Sequence, residues 1–112
     1  RPHNSGHQTI NANDTSQYEQ HLRAILGLPL GSTAITKPSV MVNLLGEEGY
    51  TGQAVYEGLE KLLAIRGSSV FLYGKRITKP FRKMGHVTVL GNDLDDLERK
   101  VRLVKEAIKV KA

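Results

Sequence analysis

Two stretches of this chain gather the residue types that bind oxyanions. The first is Arg1-Pro2-His3-Asn4-Ser5-Gly6-His7. It holds no acidic residue, and most of its side chains donate hydrogen bonds. Pro2 fixes its own φ and biases Arg1 toward extended backbone. Gly6 lets the backbone approach a ligand closely. The second stretch is Tyr73-Gly74-Lys75 together with Arg82-Lys83-Met84-Gly85-His86. Forked or point-charge donors beside accessible backbone amides are what a phosphate or carboxylate requires. One charge-assisted hydrogen bond contributes roughly 1.5–3 kcal/mol, so two or three such cations hold a phosphate monoester. Free termini usually fray, and a site at the very start of a chain is unusual. The expectation is a piece of a longer polypeptide, cut inside a functional segment.

Other chemistries find less support. His3 and His7 are four positions apart, a spacing that a helix would place on one face. Pro2 and the run Asn4-Ser5-Gly6 argue against a helix there, and no carboxylate stands nearby as a third ligand, so no metal is expected. Ser5 lies between the two histidines without a strand-turn-helix elbow or an orienting acid. Paired carboxylates in a polar cluster and a complete Walker or Rossmann loop are absent. The chain has no cysteine, which excludes disulfides and thiolate chemistry. His21 reads as a surface or structural residue of a helix. His86 opens a strand and reads equally as structural or ligand-facing.

The net charge of +5 is unevenly laid out. From Lys61 to Asn92 there is no Asp or Glu, while Lys61, Arg66, Lys75, Arg76, Lys79, Arg82 and Lys83 fall in that window. Such a field suits an anionic ligand, although a solvated basic loop has the same composition. Nucleic-acid binding needs aromatic residues interleaved with the basic ones or a recognition helix. Only Tyr73 and Phe81 are near, so no nucleic acid is expected. No apolar run approaches the roughly 20 residues of a membrane span, and no membrane is expected. The lack of cysteine fits a reducing compartment, and the expected location is cytoplasmic.

These segments need elements to hold them. At 112 residues the chain makes one modest core, filled by Leu, Ile and Val because tryptophan is absent. Ser16-Gln17-Tyr18-Glu19 is a capping box that opens a helix. Tyr18, Leu22, Ile25 and Leu26 form its apolar stripe, and Gly27 and Pro29 end it. Residues 28–39 read as a connector. Val40 to Leu45 reads as a buried strand stopped by Gly46. Val55, Leu59, Leu62 and Leu63 suggest a second helix with Gly58 inside it. Val70 to Tyr73 and His86 to Leu90 read as two strands joined hairpin-fashion by the basic loop. The last helix starts at Asn92 or Asp93 and carries Leu94, Leu97, Val101, Val104 and Ile108 on one face. Its acidic start and its terminal Lys105, Lys109 and Lys111 complement the helix dipole.

The opening motif is followed in order by Ser16-Gln17-Tyr18-Glu19-Gln20-His21, Gly27-Leu28-Pro29-Leu30-Gly31, Val42-Asn43-Leu44-Leu45-Gly46, Tyr73-Gly74-Lys75 and Arg82-Lys83-Met84-Gly85-His86. This ordered set resembles the C-terminal part of the 5-(carboxyamino)imidazole ribonucleotide synthetases over nearly the whole chain. These are the ATP-grasp ligases of purine biosynthesis, also called the ATPase subunit of phosphoribosylaminoimidazole carboxylase. The resemblance implies an α+β fold with helices packed on a small antiparallel or mixed sheet. Residues 1–36 would be the tail of an ATP-grasp domain, and residues 37–112 a small barrel-sandwich-like C-terminal domain.

The resemblance further implies that the parent uses ATP and magnesium to carboxylate aminoimidazole ribonucleotide with bicarbonate, through carboxyphosphate. Arg1, His3 and Asn4 would act in the catalytic pocket, Arg1 on the bicarbonate-derived or phosphate oxygens. Ser5 and Gly6 would bring the backbone close. Lys75 and Arg82, with Lys83, would bind the ribonucleotide 5′-phosphate. The family's acidic magnesium ligand falls before Arg1, and Gln8 stands where an aromatic residue is expected. No cofactor is therefore expected to be held tightly by this chain, which alone should be inactive. A homodimer is compatible with the resemblance. The alternatives are a non-catalytic phosphate- or nucleotide-binding module and a piece of another purine-pathway ATP-grasp ligase. The Arg82–His86 motif argues against the last. Under the main reading the opening segment and the basic loop must meet in space.

Overall fold

A computed structural model describes all residues from 1 to 112. The chain folds as a mixed α/β unit around small antiparallel sheets. The principal sheet has three strands, β1 (Ser39–Leu45), β4 (Ser68–Leu72) and β6 (Lys83–Leu90), in the order β1-β6-β4. Both pairings of β6 are antiparallel. The β4–β6 hairpin read from the sequence is present, joined by the basic loop.

Side chains alternate across a sheet, so the register sorts its two faces. One face carries Val40, Val42 and Leu44 of β1 beside Val87 and Val89 of β6 and Val70 of β4. That face builds the core with Leu62, Leu97, Val104, Ile108 and Val110. Leu62, Val87, Val89 and Val104 are wholly buried. The other face presents Met41 and Asn43, His86 and Thr88, and Ser69 and Phe71. Polar and aromatic side chains there receive the opening segment of the chain.

The opening segment forms a 3-10 turn at Asn4–Gly6 followed by the short α1 (Thr9–Ala12). Helix α2 (Gln17–Ile25) begins with half of the expected capping box: the Ser16 hydroxyl accepts the Glu19 N–H, while the Glu19 carboxylate pairs instead with Arg23 at 3.2 Å. Its stripe faces outward: α2 buries no residue, and Leu22, Ile25 and Leu26 are exposed. The connector is held instead by polar contacts. Gln20 brackets Gly31 through its N–H and its carbonyl, each at 2.8 Å.

Two helix expectations are corrected. The second helix is only α3 (Leu59–Leu63), and Val55 lies instead in a strand, β3 (Val55–Glu57). Gly58 divides them at φ 87°, a left-handed conformation that continues neither helix nor strand. The last helix, α4 (Leu94–Ala107), is capped by Asp93 as expected but stops before Ile108. Lys109 and Lys111 do not complement its dipole; they lie in β7 (Lys109–Lys111), paired antiparallel with β3. Alternation of Lys109, buried Val110 and Lys111 suits a half-buried strand, and the Lys111–Glu57 ion pair at 2.8 Å joins its two partners. The basic loop is also less free than expected. Its Ile77–Thr78 pair (β5) bonds antiparallel to Gly52–Gln53 (β2).

Candidate oxyanion-binding site

The polar face of the sheet and the opening turn meet edge to edge. Asn43, a lone polar residue within an apolar strand run, lies directly opposite His86. Its Oδ1 accepts the Asn4 Nδ2 hydrogen at 2.9 Å. Asn4 Oδ1 in turn accepts from Lys83 Nζ at 3.2 Å, across 79 positions of sequence. One carboxamide thus joins the opening segment to two strands of the sheet, β1 through Asn43 and the start of β6, where the basic loop ends, through Lys83. Lys83 is exposed, so its remaining ammonium hydrogens face solvent.

Aromatic stacking fastens the same junction. The His7 ring lies 4.7 Å from His86, and His86 is stacked on Phe71 at the same centroid distance. Tyr73 closes the edge, its hydroxyl 2.8 Å from His86 Nδ1. His86 is therefore buried on the polar face of the sheet, beneath the His7 ring. Burial above all, then the neighbouring His7, pushes His86 down to about 4. His7 is also lowered from the ordinary imidazole value, by burial first and by His3 and Lys83 after it. Both rings are neutral in the folded protein near pH 7.

The other candidate residues are distributed unequally. Lys75 Nζ donates to the Lys83 carbonyl at 2.7 Å and sits 5.8 Å from the Tyr73 ring centre. It braces the strand that carries Lys83. Arg82 donates to the Ile77 carbonyl of its own loop at 3.0 Å. Each keeps further N–H donors beyond these bonds. Arg1 is exposed and lines a groove along α2 with Gln17, Gln20 and His21. His3 is exposed, and its Nδ1 accepts the Ser5 N–H while lying 2.9 Å from the Ser5 hydroxyl. Gly6 is tight for a reason internal to the fold: a Cβ there would stand 2.6 Å from Gln17 Oε1. Asn4, Lys83 and Lys75 thus converge, while Arg1 and Arg82 face their own segments.

Sequence reading missed Asn43 and Gln17. A polar residue inside an apolar strand was the available signal for Asn43. Gln17 had none beyond its place in a capping box. The converging donors are ammonium, amide and imidazole groups, and no group of three metal-ligating side chains forms. A hard divalent cation seeks carboxylate oxygens, so this donor set fits an oxyanion and does not fit magnesium.

The fold defines a small mixed α/β module whose polar sheet face gathers ammonium, amide and imidazole donors. Residues 39–100 match the phosphoribosylaminoimidazole carboxylase C-terminal domain, and the chain belongs to this family. It is 48% identical over 96 residues to N5-carboxyaminoimidazole ribonucleotide synthase of Bacillus subtilis, covering 86% of this chain and 24% of that protein. Its fold matches N5-carboxyaminoimidazole ribonucleotide synthetase from Thermotoga maritima with a TM-score of 0.96 and 56% identity, over 100% of this chain and 31% of that one. It also matches N5-carboxyaminoimidazole synthase from Aspergillus clavatus in complex with ADP and 5-aminoimidazole ribonucleotide. There the TM-score is 0.81 and the identity 38%, over 96% of this chain and 29% of that one. The chain thus spans about a quarter of the curated relative's length.

Proposed function

We propose that this chain supplies oxyanion contacts to an ATP-dependent ligase that carboxylates aminoimidazole ribonucleotide with bicarbonate in purine biosynthesis. Residues 1–36 then belong to the end of an ATP-grasp domain and residues 37–112 to a small C-terminal domain. The family match beginning at residue 39, at the end of the connector, supports that division. The observation that carries the functional reading is the Asn4–Lys83 contact, which links the opening turn to the first residue of β6, where the basic loop ends.

In the proposed reaction, bicarbonate oxygen takes the γ-phosphoryl group of ATP, giving carboxyphosphate and ADP. The exocyclic amine then bonds to the carboxyl carbon, the carbon–oxygen bond to phosphate breaks, and the amine proton is released. Charge moves from the phosphoryl to the carboxyl oxygens and back as phosphate leaves. Donors already fixed along that path stabilise it without reorganising. Lys83 and Lys75 bind the ribonucleotide phosphate, with the remaining Arg82 donors at the loop's far side. Asn4 and His3 face the carboxyl and phosphoryl oxygens, while Arg1, in the groove along α2, would reach those oxygens only by swinging away from that helix. Magnesium and the adenine nucleotide belong to parts of the parent enzyme outside these residues.

Calorimetry with aminoimidazole ribonucleotide tests the reading. The chain should bind it, and Lys83→Ala should weaken binding about tenfold, the loss of one charge-assisted hydrogen bond. Lys75→Ala should weaken it less than Lys83→Ala, because one ammonium hydrogen of Lys75 is already committed to the Lys83 carbonyl. The chain alone should show no turnover with ATP and bicarbonate. Undiminished binding by a Lys75→Ala/Lys83→Ala double variant would remove the proposal.

A further inference from the structure

The Gln17 carboxamide enters the opening loop in the manner of an additional peptide group. Its Oε1 accepts the His3 N–H at 2.8 Å, and its Nε2 donates to the His3 carbonyl at 2.9 Å. The same Nε2 lies 2.9 Å from His7 Nδ1. The Gln17 backbone is held as well. Its N–H donates to the Thr9 hydroxyl at 2.9 Å, and that hydroxyl donates to the Gly6 carbonyl at 2.6 Å. A Cβ at position 6 would stand against Gln17 Oε1 and push the carboxamide out of this place.

These partners fix the orientation of the amide. A backbone N–H can be met only by Oε1, and a carbonyl only by the Nε2 amine. Nε2 must therefore face His7 Nδ1 as a donor. His7 Nδ1 is then an acceptor, and the neutral ring carries its proton on Nε2. Tyr18 from the same helix brings its hydroxyl to the same nitrogen at 3.1 Å. The other charged or titratable groups around His7 are His3 in its own loop, Tyr73 after β4, and Lys83 and His86 on β6. None is a carboxylate. A proton on His7 Nδ1 would thus oppose the Gln17 amine in a surrounding that offers no compensating anion.

Resting on the function proposed above, we infer that Gln17 is the positioning residue of the oxyanion site. It clamps the His3 peptide groups so that Asn4 meets Lys83, and it holds His7 in the form protonated at Nε2. Asn4 is the next residue after the clamped one, so a slack clamp moves the donor that contacts Lys83. Displacements near 1 Å at such a site cost about a hundredfold in turnover.

Nitrogen-15 NMR of the His7 imidazole in the 112-residue chain reads the clamp directly. At neutral pH the wild-type ring should show a pyridine-like Nδ1 and a pyrrole-like Nε2. Gln17→Glu should raise the His7 titration midpoint and protonate Nδ1, because a carboxylate replaces the donor. Gln17→Met keeps the length without the polar ends; it should mix the His7 tautomers and speed hydrogen exchange at the His3 amide at least tenfold. The same variant should weaken aminoimidazole ribonucleotide about tenfold. Lys83→Ala should weaken the ligand while leaving the neutral His7 ring protonated at Nε2, with only its titration midpoint raised by loss of the nearby charge. A wild-type His7 protonated at Nδ1, or a His7 spectrum and His3 exchange rate indifferent to both Gln17 variants, overturns the inference. Expected His7 and His3 signals with no ligand binding by the wild type would overturn the functional reading and leave the clamp standing.

Discussion

His86 enters the folded state as a neutral ring between Phe71 and His7, with Tyr73 at its Nδ1. Its Nε2 is buried and has no protein partner. Charging the ring would place an unpaired N–H of a cation in that interior, which is costly. The linkage sign follows. Unfolded His86 takes up its proton near pH 6.5, and folded His86 only near pH 4. Between these values the unfolded chain binds more protons, so stability falls as pH falls through that window and the loss is complete below it. Thermal unfolding followed from pH 7 to pH 4.5 should show this decline. His86→Leu should flatten it, leaving the shallower dependence of the remaining groups. An identical slope in the variant would mean that His86 does not carry the effect. At this scale the sequence was ambiguous about His86, because only the register with Asn43 and Phe71 and the docking of His7 decide how its ring is enclosed.

At the scale of elements, what could be read from local pattern was the part stabilised by local contacts. The Ser16 cap of α2, the Asp93 cap of α4 and the β4–β6 hairpin all follow from neighbouring residues, and all are present. The β3–β7 pair was illegible because α3, the β4–β6 hairpin and α4 lie between its partners in the chain. Val55 and Leu59 happen to share helical spacing, and Ile108 continues the α4 stripe by the same accident. Gly58 was the clue that spacing overrode. Its φ of 87° turns the chain from β3 into α3, and a Cβ built there overlaps the Ala107 carbonyl. Gly58→Val should therefore cost about 1–3 kcal/mol from backbone strain alone, with steric displacement of the α4–β7 junction added. Urea unfolding measures it. A midpoint equal to wild type would show that the turn tolerates a side chain and that the β3–β7 pairing does not depend on this glycine.

Across the whole molecule, burial is divided sharply. The core side of the sheet holds Leu62, Val87, Val89 and Val104 at 0% exposure, while α2 leaves Leu22, Ile25 and Leu26 exposed at 54%, 64% and 66%. Periodicity showed that α2 has an apolar stripe, but period alone carries no information about what lies against it. The two sets should respond oppositely to substitution. Leu62→Ala removes buried methyl groups and should destabilise by about 2–5 kcal/mol. Leu22→Gln with Ile25→Gln changes side chains already in water, and each should alter stability by no more than roughly 0.5 kcal/mol. The double variant should at the same time bind less of an apolar fluorescent dye, because contiguous exposed apolar surface is what such a dye recognises. Calorimetric unfolding beside dye titration gives both answers on one sample. A fall of many degrees in the double variant's melting temperature would mean that the stripe is covered in solution. The opening loop hangs from α2 through Gln17, so retained folding with unchanged ligand affinity in that variant would further show that the outward face of the helix is separable from its polar, loop-holding face.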